Sequence, residues 1–284
     1  MNADDFGLTA GVNRAIMELH QAGVLTSATL MAKASATEEG IELARATPSL
    51  GVGCHVVLVD GVPVLPPSEV PTLVDATTGH FWPTLASFLP RLFTGRIRWR
   101  EIEAEAAAQI ALLQNRGVRL THIDSHKHTH MFPPVLRAVL HAAGNAGIHA
   151  VRNPFEPEWA VRATPRSSWL RNTEVFALRK LGPFFGRLID KQHVSTTDGT
   201  ISVAGTGTLD AAAVRSLLER LPPGTWELVT HPGYNDADLA KIRTRLRESR
   251  DIERKALEAI KEFPEVDLVS FGDLRERASP AIKV

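Results

Sequence analysis

This chain alternates apolar strand-like runs with amphipathic helix-like runs, and that alternation restricts its fold more than any other feature. Strand-like runs fall at Leu25–Met31, Leu50–Val59, Val118 onward, Ile148–Arg152, Lys191–Thr197, Trp226–Tyr234 and Val266–Phe271. Helix-like runs lie between them. The first is capped by Thr9, keeps Val12, Ile16 and Leu19 on one face, and stops at Gly23. Others cover Ala36–Ala46, Trp99–Asn115, Pro134–Ala146, part of Thr173–Leu188, Leu209–Leu221 and Ala237–Glu262. The charge run of Ala237–Glu262 is expected to be a solvated face. Strand-helix alternation argues for parallel strands, and this number of units favours a barrel. The expected fold is α/β, a variant (β/α) TIM-like barrel in which residues 1–284 form a single domain. Only a stub at residues 1–3 precedes the first helix-side turn, so the first strand is expected to be truncated.

Chemistry concentrates at the expected C-terminal ends of strands, where such barrels carry their active sites. Thr121–His130 places His122, Asp124, His126, His128 and His130 at every second position. Alternate side chains of a strand share a face, so His122, Asp124 and His126 point one way if the strand frays near His128. Neutral imidazole and carboxylate suit a borderline divalent metal; the same groups also orient ligands or move protons. Apolar Val118, Leu120 and Ile123 anchor the tract in a core. Asp4 and Asp5 sit on the turn before the first helix. His55 lies inside an apolar strand, where a packed core histidine is the commoner outcome. Arg152 ends a strand, placed either to bind a substrate oxygen or to be solvated. His231 ends another. Asp60–Pro83 is a long Pro- and Gly-rich loop, a length usually associated with function.

Composition narrows the classes. Lys+Arg and Asp+Glu both number 32, so nothing suggests a nucleic-acid partner or membrane steering. One cysteine, Cys54, excludes an internal disulfide framework and a Cys-rich zinc site. No run of about 18 apolar residues and no signal sequence is present, so a cytoplasmic protein without a membrane span is expected. A homo-oligomer is compatible with the sequence.

Asn2–Thr9, Thr26–Thr29, Gly53-Cys54-His55, Thr121–His130 and His231-Pro232-Gly233-Tyr234 together resemble the YdjC-like carbohydrate deacetylases, which include chitooligosaccharide deacetylases (ChbG) and hopanoid-associated (HpnK) proteins. The resemblance covers almost the whole chain. It implies one divalent metal, Mg or Zn, held by Asp5, His55 and His126, and removal of an N-acetyl group from an amino sugar. It further implies Asp4 as general base and His231 as general acid. His122, Asp124, His128 and His130 become contacts to the ligands or to substrate. The partner expected is a small-molecule N-acetylated sugar. Lys191-Gln192-His193-Val194 departs from the aromatic-containing pattern of the family. Two rivals accompany this reading: another metal hydrolase such as a phosphoesterase, with more Lys/Arg at the metal and often a second metal, and a non-catalytic sugar-binding homologue.

Overall fold

In the computed structural model, which describes residues 1–165 and 169–274, six strands occur in the order β1 (Asn2–Phe6), β2 (Ser27–Leu30), β3 (Gly51–Val56), β4 (Leu120–Ser125), β5 (Gly199–Ile201) and β6 (Trp226–Thr230). The helices are α1 (Ala10–Gln21), α2 (Thr37–Ala46), α3 (Leu85–Phe93), α4 (Trp99–Asn115), α5 (Pro133–Asn145), α6 (Glu158–Ala163), α7 (Trp169–Leu178), α8 (Gly182–Gln192), α9 (Ala211–Leu218) and α10 (Ser249–Ala256). The strands form one sheet, ordered β4-β3-β2-β1-β6-β5, with every pairing parallel. Parallel strands are covered on both faces and read as apolar runs; β1, β2 and β3 are buried along their whole length.

Past β4 the ladder continues through isolated parallel bridges, Ile123 to Val151 and Ala150 to Ser195. Ser195 lies just upstream of β5, which pairs with β6, so the backbone hydrogen bonds curl the sheet back toward its own start. This is the architecture of a TIM-like variant.

The first strand is not a stub. Asn2–Phe6, the acidic motif itself, is the strand, and it sits between β2 and β6 at the centre of the sheet. The motif escapes a strand reading because its two carboxylates break the apolar pattern.

Three further expectations change. Residues 264–270 leave the sheet; Val269 accepts from Thr26 Oγ1 at 2.7 Å, and Phe271 opens a short 3₁₀ turn. Lys191 and Gln192 end α8, and only Ser195 of that run bridges to a neighbour. The long helix over Ala237–Glu262 is broken into a 3₁₀ turn at Leu239–Lys241, α10 and a 3₁₀ turn over Leu257–Glu262. Upstream, Asp236 Oδ1 accepts the N–H groups of Asp238 and Leu239, a local turn that competes with helix.

The long loop after β3 is tied down by one face of α4. Gln109 exchanges two hydrogen bonds with the Val57 backbone, Glu105 accepts the N–H groups of Val64 and Leu65, and Glu101 accepts Thr72 N–H. These residues are four apart, hence on one helix face. All three are buried.

Candidate active site

Asp4 and Asp5 are neighbours in a strand and should face opposite ways. They do not, because Asp5 adopts φ 65° and the ladder slips between Ala3 and Phe6. A left-handed non-glycine residue costs on the order of 1–3 kcal/mol and persists where its surroundings over-determine it. Here the irregularity brings both carboxylates to one interior rim.

Asp5 Oδ1 lies 3.5 Å from His55 Nε2 and 3.3 Å from His126 Nδ1, and the two nitrogens are 3.3 Å apart. Bonds of about 2.0–2.1 Å to a tetrahedral metal place neighbouring ligand atoms roughly 3.3–3.4 Å apart. The triangle therefore has the edges that three ligands of one small divalent ion require. The donor set, one carboxylate and two imidazoles, is suited to the same ion.

The orientations of these candidate ligands are set from behind. His55 Nδ1 bonds Asp124 Oδ1 at 2.7 Å, which fixes a proton on Nδ1 and turns Nε2 toward the triangle. Thr29 Oγ1 lies 3.2 Å from Asp124 Oδ2 and from His55 Nδ1. Burial opposes a charge on His55, but Asp124, Asp4 and Asp5 override it and lift the imidazole to about 9. Asp5 Oδ2 is gripped by Arg250. Burial works against the Asp5 carboxylate, yet Arg250 and His126 hold it well below its usual range.

Arg152 is fully buried rather than solvated. It binds both oxygens of Asp4, and also reaches Asp124 Oδ2 at 2.5 Å and Glu227 Oε1 at 2.7 Å. One guanidinium thus joins three carboxylates from three strands. Asn2 Nδ2 and Thr29 Oγ1 also donate to Asp4 Oδ1, at 3.3 and 3.4 Å.

The histidine tract divides after Ser125, where β4 gives way to a 3₁₀ turn over His126–Met131 with Lys127 and His128 both at positive φ. His130 accepts from Ser125 Oγ at Nδ1 and donates from Nε2 to the Arg152 carbonyl, at 2.7 and 3.2 Å. His128 stands edge-on to His130 with ring centres 6.3 Å apart. His122 lies away from the triangle. It stacks on Phe271 at 4.0 Å and fills the space above Gly53, where a Cβ would come within 2.6 Å of its ring.

His231 follows β6. Its Nε2 is 3.8 Å from Asp4 Oδ2, and its backbone N–H donates to Glu253 Oε2 at 2.7 Å. Burial pushes His231 down to about 4 and Glu253 up to about 8.

Asp4, Asp5, His55, Asp124, His126, Arg152 and His231 are thus brought together. Arg250, Glu253 and Glu227 join them without having been singled out in the sequence. Arg250 and Glu253 are buried on α10, so the charged stretch is not simply a solvated face. Glu227 had a legible signal, a carboxylate inside the apolar run Trp226–Val229.

A family model described as "YdjC-like protein" matches residues 1–263. The chain is 32% identical to a carbohydrate deacetylase of Brevibacillus brevis over 96% of its own length and 98% of the relative's. It is 36% identical to one of Geobacillus stearothermophilus over 84% and 81% of the two chains. Among solved structures, a protein of Enterococcus faecalis V583 whose name proposes cellobiose-phosphate cleavage superposes with TM-score 0.74 at 28% identity, over 96% and 97% of the two chains. No helix among the described residues is long and apolar enough to cross a membrane. With its family model matching residues 1–263, this chain belongs to the YdjC-like family.

Proposed function

We propose that the protein is a metal-dependent carbohydrate N-deacetylase, hydrolysing the N-acetyl group of an amino sugar to acetate and a free amine. The observation that carries this reading is the Asp5–His55–His126 triangle with a second carboxylate, Asp4, beside it. The relatives named carbohydrate deacetylases support the same reaction class. Asp5, His55 and His126 would hold the ion, zinc or magnesium, which when bound supplies Lewis acidity to the acetyl carbonyl and the attacking water.

The remaining steps belong to side chains of this chain. Asp4 is clamped as a carboxylate by Arg152 and takes the proton of the attacking water. His231, whose Nε2 lies 3.8 Å from Asp4 Oδ2, delivers a proton to the departing nitrogen. Positioned acid and base groups are each worth roughly 10²–10⁴-fold. Arg152 orients the base rather than the substrate, since its donors are directed at Asp4, Asp124 and Glu227.

The phosphoesterase rival draws on a second metal. The other grouping of potential ligands, Asp4, His55 and Asp124, is already bridged by Arg152, which favours a single-metal site.

The test is acetate release from N-acetylglucosamine oligomers and N-acetylglucosaminyl lipids by metal-stripped protein reconstituted with zinc or magnesium. Metal-dependent acetate is expected. Hydrolysis of p-nitrophenyl phosphate with no acetate under any metal would replace this reading with the phosphoesterase.

A further inference from the structure

His231 as proton donor presents a difficulty. Its ring is shielded, and burial disfavours the imidazolium that a lone histidine acid would need near neutral pH. The resolution lies on its other edge. Nδ1 has no hydrogen-bond partner among the described residues, and it faces the Glu253 carboxyl, with Oε2 3.9 Å away. The same Oε2 already accepts the His231 backbone N–H at 2.7 Å, which keeps Glu253 beside the ring it faces. Glu253 itself is buried on α10. Nε2, on the opposite edge, points at Asp4. An imidazole with a carboxyl behind Nδ1 and the reaction space before Nε2 is arranged to pass a proton through.

We propose that Glu253 is a positioning residue that stores the proton His231 delivers. This rests on the deacetylase reading. In the resting site Glu253 is the neutral acid and its O–H faces His231 Nδ1, so the ring is neutral with its proton on Nε2. As the C–N bond breaks, Nε2–H passes to the departing amine nitrogen and the Glu253 proton moves to Nδ1, leaving a carboxylate. Asp4, which took a proton from water, returns it to Nε2, and Nδ1–H goes back to Glu253. The net change is one water proton on the amine, one hydroxyl on the acetyl carbon, and an unchanged enzyme. The Nδ1 to Oε2 gap must shorten by about 1 Å to reach hydrogen-bond distance, and catalytic hydrogen bonds are commonly long before substrate arrives.

The surroundings of the pair suit this. Asp4 and Asp5 of β1 disfavour a second anion on Glu253, while the His231 backbone N–H and Arg250 on α10 oppose them; around His231, Asp4 and Asp5 favour the cation and Arg250 and Arg152 oppose it, so burial decides for the neutral ring. Burial acts in the same sense on both, and keeps the acid form of Glu253 up to about 8.

The test is Glu253→Gln in zinc-loaded enzyme. Glutamine keeps an oxygen for the His231 N–H and an N–H for Nδ1, and removes only the transferable proton. On N-acetylglucosamine oligomers kcat is expected to fall about 10²–10³-fold, with KM within about threefold. On p-nitrophenyl acetate, whose leaving group departs unprotonated, the loss is expected to stay within about threefold. Equal losses on both substrates, or none on the amide, overturn the proposal. A titration step near 8 at the His231 ring, followed by ¹⁵N NMR, is expected in wild type and absent from the variant. The step persisting in the variant, or missing from wild type, overturns it independently of turnover. Wild-type enzyme that cleaves the ester but no N-acetylated sugar overturns the deacetylase reading, and the NMR result then decides the fate of the pair alone.

Discussion

Arg152 grips both oxygens of Asp4, with Nη1 2.8 Å from Oδ2 and Nη2 2.6 Å from Oδ1. A fork against a carboxylate fixes its plane as well as its position. Because the same guanidinium reaches Asp124, which sets the His55 tautomer, one cation restrains both the proposed base and the scaffold of the proposed metal ligands.

Replacing Arg152 by Lys retains the charge and loses the fork. We expect kcat to fall at least about 10²-fold, with zinc affinity within about threefold by calorimetric titration. Arg152→Met leaves Asp4, Asp124 and Glu227 without their cation, and breaking a buried ion pair this way costs roughly 3–5 kcal/mol in urea unfolding. An Arg152→Lys enzyme with wild-type turnover would show that orientation of Asp4 is unimportant.

His126 is the position at which the proposed metal binding can be separated from folding. Its side chain retains 21% exposure, against 1% for His55, so its removal should leave the apo fold within about 0.5 kcal/mol of wild type. Free zinc at about 100 times Kd should stabilise wild type by about 2.7 kcal/mol, and His126→Ala should lose most of that increment in a thermal melt. An unchanged increment would move the metal elsewhere.

How much of this was legible can be judged at particular residues. The Thr121–His130 tract stood out in the sequence by its period-two chemistry, but β4 ends at Ser125 and His126 reaches the triangle from the 3₁₀ turn that follows. Fold class followed from the alternation of strand and helix. Asp4 and Asp5 were visible as residues but not as a strand, since it takes the left-handed Asp5 to turn both inward. Arg250 and Glu253 were hidden for a different reason: on a helix rich in Arg, Lys and Glu, burial of two charges is decided by what the helix packs against. His122 shows the converse, sharing the spacing of its neighbours yet stacked on Phe271 away from the triangle.

His130 gives a pH signature. Burial pushes it down to about 4, whereas the unfolded histidine titrates near 6.5. Between those values the unfolded chain binds a proton the fold refuses. Its contribution to stability is therefore complete above about pH 6.5 and is lost as pH falls toward 4, at up to about 1.4 kcal/mol per pH unit. In metal-stripped protein, His130→Gln should be less stable than wild type at pH 7.5 but show a shallower loss from pH 6.5 to 4.5 in urea titrations. Parallel slopes for the two proteins would mean His130 is not held neutral.

Arg250 yields the prediction that bears most directly on metal affinity. Its guanidinium grips one oxygen of Asp5 while the other faces His55 and His126. The cation has two opposed effects on an incoming metal. It repels the ion, and it keeps Asp5 ionised where burial alone would favour the protonated acid. At pH 8 a carboxylate is ionised with or without Arg250 unless burial is extreme, so repulsion dominates. Arg250→Gln should then bind zinc as tightly as wild type or more tightly. At pH 5.5 the buried Asp5 of the variant is partly protonated and must release that proton to bind metal. Its affinity should fall below wild type at that pH. The two binding curves should therefore cross between pH 5.5 and 8 in calorimetric titrations of apo protein. A constant ratio of affinities across that range would mean that Arg250 does not control the protonation of Asp5.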